Sequence, residues 1–89
     1  MKESFMKVKS EEFFMTLSEV IYEERKKQKM TQTELAIKSG LNRTYISDIE
    51  RGKGNPTLNV LLQISEALSI SLSVLMLKVE FKLEKGDLS

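Results

Sequence analysis

The sequence predicts an all-α domain of five helices, and three features of the chain support that prediction. Apolar residues recur at intervals of three and four, which places them on one face of a helix. Serine, threonine or asparagine stands just before four of the periodic segments, as helix N-caps do. Glycine, proline or serine residues interrupt the chain between segments. Residues 78–84 depart from this pattern, because apolar and charged residues alternate there and predict a short β extension.

The first helix is predicted over residues 11–28. Its apolar stripe includes Phe13, Leu17 and Ile21, and Ser10 precedes the stripe in the N-cap position. Glutamates fill the first turn and basic residues fill the last turn, where the helix dipole favours each sign of charge. We therefore expect one amphipathic helix.

Two short helices are predicted next, over residues 32–39 and 43–50. Thr31 and the glutamate three positions later have the spacing of a capping box, which marks the start of the first of them. Gly40 supplies the left-handed residue that ends it. Asn42 then caps the second helix. The close succession of these markers predicts a sharp turn between the two helices.

The fourth helix is predicted over residues 57–68, with Pro56 at or beside its first turn. Ser71 caps a short fifth helix over residues 72–77. The chain then changes its period from helical to alternating.

These elements divide the chain into an N-terminal extension (residues 1–10), a helical domain (11–77) and a C-terminal extension (78–89). We expect that residues 4–9 can form a strand that pairs with residues 78–84. A lone two-stranded ribbon is only marginally stable, so it would have to pack on the helices.

Composition excludes most catalytic chemistry, since the 89-residue chain has no cysteine and no histidine. Thiolate metal sites, Ser–His–Asp triads and the commonest general base are absent with them. The carboxylates fall on solvated helix faces, so we expect no enzyme activity, no catalytic residue, no metal and no cofactor. No apolar run reaches the roughly 18–20 residues of a membrane span. We expect a cytoplasmic protein without a membrane partner or a small-molecule ligand.

The charge of the chain is unevenly distributed. Its 14 basic and 13 acidic residues give a net charge of only +1. Residues 1–24 carry −3, residues 25–53 carry +5 and residues 54–89 carry −1. Because phosphate binding depends on local charge, the middle segment is a candidate for contact with nucleic acid.

Residues 31–50 have the helix-turn-helix pattern of two short helices joined by a Gly-Leu turn. The surrounding chain resembles the five-helix domain of phage repressor and Cro-type (XRE-like) regulators, and the resemblance begins around Leu17. Its markers, at the spacing of that family, are Thr31-Gln32, Leu35-Ala36, Gly40-Leu41, Ile46-Ser47, Ile49-Glu50, Gly52, Pro56, Leu61 and Leu68. Lys29 stands where the family often has glycine, so helix 1 is expected to end differently.

The resemblance implies a transcription regulator that binds double-stranded DNA sequence-specifically, as a homodimer on a near-palindromic operator. The run Asn42-Arg-Thr-Tyr-Ile-Ser47 is similar to the controller proteins of restriction–modification systems, so a controller protein or a phage-type repressor is expected. An antitoxin-type regulator is an alternative within the same class. A different interpretation is a protein-interaction module that keeps the fold without binding DNA.

Roles for individual residues follow from the motif. The second helix of the motif enters the major groove, and the side chains expected to contact bases are Arg43, Thr44, Ser47 and Asp48. The flanking side chains expected to contact phosphates are Gln32, Tyr45, Arg51, Lys53 and Asn55. Two alternatives stay open: Asp48 could instead pair with Arg43, and Tyr45 could pack its ring on the surface without touching DNA.

Two further groups are expected to hold the structure together. Arg25 and Glu50 resemble the ion pair by which this family links helix 1 to the end of helix 3. The apolar residues left over by the core predict a dimer interface formed by Val74, Met76, Leu77, Val79 and Phe81. The alternative is that these C-terminal residues cover the core of their own monomer.

Overall fold

The structure is a computed structural model that describes residues 10–88, with side chains described up to residue 85. Within this part of the chain it shows the five predicted helices. In chain order they are α1 (Ser10–Lys27), α2 (Gln32–Ser39), α3 (Arg43–Glu50), α4 (Leu58–Ala67) and α5 (Leu72–Leu88). The first four begin and end within one residue of their predicted bounds, because caps and chain breakers act locally.

One apolar core holds the five helices together. α1 packs against α3 and α5, α2 packs against α3 and α4, and α4 packs against α5. Every helix contributes at least one fully or almost fully buried apolar side chain, and the most completely buried are Leu17, Ile21, Leu35, Ile46, Ile64, Leu68, Leu75 and Val79. The helix-turn-helix unit is therefore anchored from both sides, by α1 and by α4.

Four of the helices end in the same backbone motif. At Lys29, Gly40, Gly52 and Ser69 the backbone takes a positive φ between 56° and 79°. In each case the N–H of that residue donates to the carbonyl three residues back, and the next N–H donates to the carbonyl five residues back. This is the Schellman motif, which satisfies the last carbonyls of a helix. α1 thus ends in the same motif as α2, where glycine takes this position, although Lys29 must adopt a left-handed conformation to do so.

The predicted strand over residues 78–84 is wrong, because α5 continues without interruption from Leu72 to Leu88. Leu75, Val79 and Leu83 lie four residues apart, so a helix places them on one face, and that face packs on the core. The residues 4–9 that were to pair with this strand lie outside the described residues. Val79, predicted for the dimer interface, is fully buried inside its own monomer, so that assignment is corrected.

Two ion pairs join the extended part of α5 to α1. Lys78 Nζ lies 3.2 Å from Glu24 Oε2, and Lys82 Nζ lies 3.0 Å from Glu23 Oε2. The helix thus crosses the predicted domain boundary after residue 77 and packs along α1.

Within the described residues, no single helix has both the length and the apolar character needed to cross a membrane. α4 and α5 taken together meet the length and composition criteria, but a bend of 99° separates them.

Candidate nucleic-acid interface

α3 presents a polar face to solvent while its other face is embedded in the core. Ile46 and Ile49 are buried, which fixes the rotation of the helix about its axis. Each residue advances an α-helix by about 100°, so the side turned away from the two isoleucines contains four residues. They are the exposed Arg43 and Thr44 and the half-buried Ser47 and Asp48.

The start of α3 is shaped by its cap and by the turn before it. Asn42 Oδ1 accepts a hydrogen bond from the backbone N–H of Thr44 at 2.7 Å. Gly40 ends α2 in the left-handed region, with φ of 74°. In addition, Gln63 Nε2 on α4 donates to the carbonyl of Ser39 at 3.1 Å, which holds the end of α2 in place. The first turn of α3 is thus presented to solvent in a defined position.

A buried ion pair between Arg25 and Glu50 joins α1 to the end of α3. Arg25 donates to both carboxylate oxygens of Glu50, from Nε at 2.7 Å and from Nη2 at 2.9 Å. Its remaining Nη1 donates to the carbonyl of Met30 at 2.7 Å. Only 8% of the Arg25 side chain and 3% of the Glu50 side chain are exposed. The hydrogen bond from Glu50 raises the pKa of Arg25 above its ordinary value, against the opposing effect of burial.

Gln32, predicted to contact a phosphate, is held between two charged side chains. Its Nε2 donates to Glu50 Oε1 at 3.0 Å, and its Oε1 accepts from Arg43 Nη1 at 3.4 Å. A chain of hydrogen bonds therefore runs from the buried Arg25 through Glu50 and Gln32 to the exposed Arg43. Sequence reasoning predicted the pair of Arg25 and Glu50 but missed the two links through Gln32, which join residues 18 and 11 positions apart along the chain.

Asp48 pairs with Arg51 and not with Arg43, the partner considered from the sequence. Arg51 Nη2 donates to Asp48 Oδ1 at 2.6 Å, and both side chains are substantially exposed. Arg51 also ends α3, where its backbone N–H bonds to the carbonyls of Ser47 and Asp48. The arginine is thus held at the same surface as the polar face of α3.

The loop after α3 contributes the remaining predicted phosphate contacts. Lys53 and Asn55 are exposed, whereas Tyr45 is half-buried and packs against the core. The loop lies tightly on α1: a Cβ added at Gly52 would come within 2.5 Å of Met15 Sδ. The Met15 sulfur lies near the end of a flexible, exposed side chain that can move aside, so it is the left-handed backbone of Gly52, with a φ of 79°, that favours glycine here.

The remaining residues predicted for the dimer interface lie on α5, away from this surface. Val74, Leu77 and Phe81 are exposed, and Met76 is half-buried. The three exposed residues are three and four positions apart, so they form one apolar stripe along the helix. No cluster of side chains suited to holding a metal ion occurs among the described residues.

Comparison with known proteins identifies relatives of this chain. A family model described as helix-turn-helix matches residues 21–75. Control protein C.SmaI of Serratia marcescens is 36% identical over 77 residues, which cover 82% of this chain and 92% of that protein. The immunity repressor protein of Bacillus phage phi105 is 43% identical over 61 residues, which cover 68% of this chain but only 42% of the repressor.

Solved structures show the same relationship. The wild-type restriction–modification controller protein C.Esp1396I superposes with a TM-score of 0.78 at 38% identity, covering 82% of this chain and 95% of that one. The controller protein C.AhdI from Aeromonas hydrophila gives a TM-score of 0.68 at 32% identity, covering 70% and 94%. This family is a class of DNA-binding regulators and not a class of enzymes. The chain therefore belongs to the XRE-type helix-turn-helix family of transcription regulators.

Proposed function

We propose that this chain acts in the cytoplasm as a homodimer that binds a near-palindromic operator, in the manner of a restriction–modification controller or a phage-type repressor. The observation that supports it most is the presentation of α3. Arg43 and Thr44 are exposed at the first turn of the helix. Behind them, Ile46, Ile49 and Glu50 hold the helix rigidly on the core. A helix that enters the major groove contacts bases with this first turn.

The base contacts in this proposal come from the polar face of α3. Arg43 has two donors that match O6 and N7 of guanine, and Thr44 can bond a base edge or touch a thymine methyl. Gln32 holds Arg43 by a hydrogen bond in the free protein, which limits the freedom of the guanidinium before DNA arrives. Ser47 and Asp48 lie one turn further along and are the next candidates.

The phosphate contacts flank that face. The capping box of α2 uses the backbone N–H groups of Thr31 and Glu34. The backbone N–H groups of Gln32 and Thr33 lie between them in the first turn of the helix, where free N–H groups can donate to a phosphate oxygen. Lys53 and Asn55 extend from the loop beyond α3, and Arg51 lies at its end. Tyr45 and the Gln32 side chain are further phosphate contacts in this proposal, since both are only half-buried.

The homodimer in this proposal forms through the exposed stripe on α5, which consists of Val74, Leu77 and Phe81, with Met76 beside it. One recognition helix covers too few base pairs for tight specific binding. Pairing two copies places two recognition helices roughly 34–36 Å apart, one turn of DNA. The opposite face of α5 is already used by the monomer core, so the stripe is available to a second copy.

DNA binding is tested by selecting bound sequences from random DNA and then measuring affinity for the selected operator by gel shift. Arg43→Ala should weaken operator binding by about 5–150-fold, which corresponds to about 1–3 kcal/mol, and should relax the preference at one base pair. Lys26→Ala is the matched control, since Lys26 is an exposed basic residue at the end of α1. If all DNA binds equally weakly and Arg43→Ala changes nothing, the protein-interaction interpretation is favoured instead.

The dimer is tested by analytical ultracentrifugation at high micromolar concentration. The wild type should sediment as a dimer and Phe81→Glu as a monomer. Ile37→Glu is the control, because Ile37 is at least as exposed as Phe81, 75% against 62%, but lies on α2. A monomeric wild type would reject the interface on α5.

A further inference from the structure

We propose that the ion pair between Asp48 and Arg51 is a specificity gate on the DNA-binding surface. The carboxylate holds Arg51 back from the phosphates of non-matching DNA, and releases it where a cytosine amino group bonds to the carboxylate. This inference rests on the proposed function and adds to it the residue that discriminates against other sequences.

The position of the pair supports the gate. Asp48 lies on the polar face of α3, one turn after Thr44, and Arg51 Nη2 bonds to its Oδ1 at 2.6 Å. The backbone of Arg51 is fixed to the helix by bonds to the carbonyls of Ser47 and Asp48. Both side chains remain open to solvent, so a base or a phosphate can reach them.

The charges of the surrounding segment make Asp48 distinctive. Residues 25–53 contain three acidic residues, and all of them are described. Glu34 closes the capping box of α2, and Glu50 is buried against Arg25. Asp48 is therefore the one carboxylate in this basic segment that lies on the polar face of α3. It reduces the attraction of that face for any phosphate backbone.

The physical consequence differs between the two kinds of DNA. On non-matching DNA the carboxylate neutralises Arg51 and repels phosphates. The protein therefore makes one phosphate contact fewer than it makes on the matching site. On the matching site a cytosine N4 amino group donates to the carboxylate, as acidic side chains in the major groove accept. The amino group competes with Arg51 for the carboxylate, and because the exposed ion pair is weak, the guanidinium can turn to a phosphate. Specificity is a difference of affinities, and the gate increases it by weakening the wrong complexes.

The experiment compares Asp48→Asn with the wild type on the selected operator and on random DNA over a salt series. Each neutralised phosphate adds about 0.9 to the slope of log K against log salt, so the slope of the variant should be steeper by up to about 0.9. An exposed ion pair withholds at most about fivefold in affinity, so the variant should bind random DNA up to about fivefold more tightly at 0.1 M salt. The ratio of operator to random affinity should fall, and one position of the selected sequence should lose its preference for cytosine.

Two further variants make the result specific. Glu66→Gln makes the same change of charge at an exposed residue on α4, outside the motif, and should leave both affinities and the slope unchanged. In an Arg51→Ala background, Asp48→Asn should no longer steepen the slope, since the arginine that it releases is missing. Circular dichroism melting checks that each variant folds as the wild type does.

The outcomes separate this inference from the proposed function. If the wild type discriminates its operator from random DNA but Asp48→Asn behaves like Glu66→Gln, the gate is rejected and the regulator stands. A steeper slope that persists in the Arg51→Ala background also rejects the gate, because Asp48 then acts alone. If the wild type itself does not discriminate, the proposed function fails and the gate fails with it.

Discussion

Replacing Glu50 by glutamine should strongly destabilise the domain. The carboxylate accepts three hydrogen bonds, two from Arg25 and one from Gln32, at 2.7, 2.9 and 3.0 Å. Glutamine keeps the shape of the side chain and one oxygen acceptor but has an NH2 donor in place of the other oxygen. At least one of the three donors then faces another donor, and the positive charge of Arg25 is left without its partner.

The expected loss follows from the burial of the pair. Removing one partner from a buried ion pair typically costs about 3–5 kcal/mol, because the other charge stays desolvated. Arg25 is only 8% exposed, so it cannot recover its hydration without moving. The oxygen that glutamine retains favours the lower limit, about 3 kcal/mol. For a domain of this size that loss corresponds to a fall in Tm of about 12–24 °C.

Urea unfolding followed by circular dichroism measures this loss, at neutral pH and at one protein concentration, because dimer formation makes stability concentration-dependent. The midpoint should fall at an unchanged m-value. Asp48→Asn is the control, since it breaks an exposed pair on the same helix and should cost less than about 1 kcal/mol. A loss below about 0.5 kcal/mol for Glu50→Gln, the size of an ordinary surface substitution, would refute the reasoning.

Three further predictions concern stability. Lys29→Gly should stabilise the domain by about 1 kcal/mol, because Lys29 has a φ of 56° that glycine adopts without strain. Thermal unfolding tests this with Lys29→Ala as the control, and an unchanged Tm for Lys29→Gly would contradict it. Gly40→Ala should destabilise by about 1–2 kcal/mol through its backbone alone, since the nearest atom to an added Cβ is 3.9 Å away; a neutral effect in urea unfolding would count against it. Burial raises the pKa of Glu24, but the ammonium groups of Lys78 and Lys27 outweigh it and leave the pKa lowered. The stabilisation by ionised Glu24 is therefore complete above the unfolded-state pKa of about 4.3 and is lost as the pH falls through the folded-state pKa. The stability advantage of the wild type over Glu24→Gln, measured by urea unfolding, should shrink in acid. A stability difference that does not depend on pH would exclude this coupling.

Local sequence predicted the helix-turn-helix unit well because its boundaries depend on neighbouring residues. The side chain of Thr31 and that of Glu34 bond to each other's backbone N–H groups in the structure, as their spacing predicts. Asn42 caps α3 and Gly40 ends α2 in the same local manner. Thr57 caps α4, and Pro56 stands directly before that cap, beside the first turn of the helix.

The error at residues 78–84 has an equally physical cause. Val79, Phe81 and Leu83 alternate with charged residues, which fits a strand, but Leu75, Val79 and Leu83 are also four apart, which fits a helix. A segment this short cannot decide between the two periods by itself. Packing decides, because α5 can bury Val79 and Leu83 on the core and still pair Lys78 and Lys82 with glutamates of α1.

The amino-acid sequence by itself determined where the first four helices begin and end, that the basic charge lies in the motif, and which family the chain resembles. Only the tertiary structure decided the length of α5, the burial of Val79, the partner of Asp48 and the position of Gln32 between Glu50 and Arg43. Caps, breakers and charge are properties of short stretches of chain. Partners and burial depend on which helix faces lie opposite each other, and that is settled only when the distant segments pack.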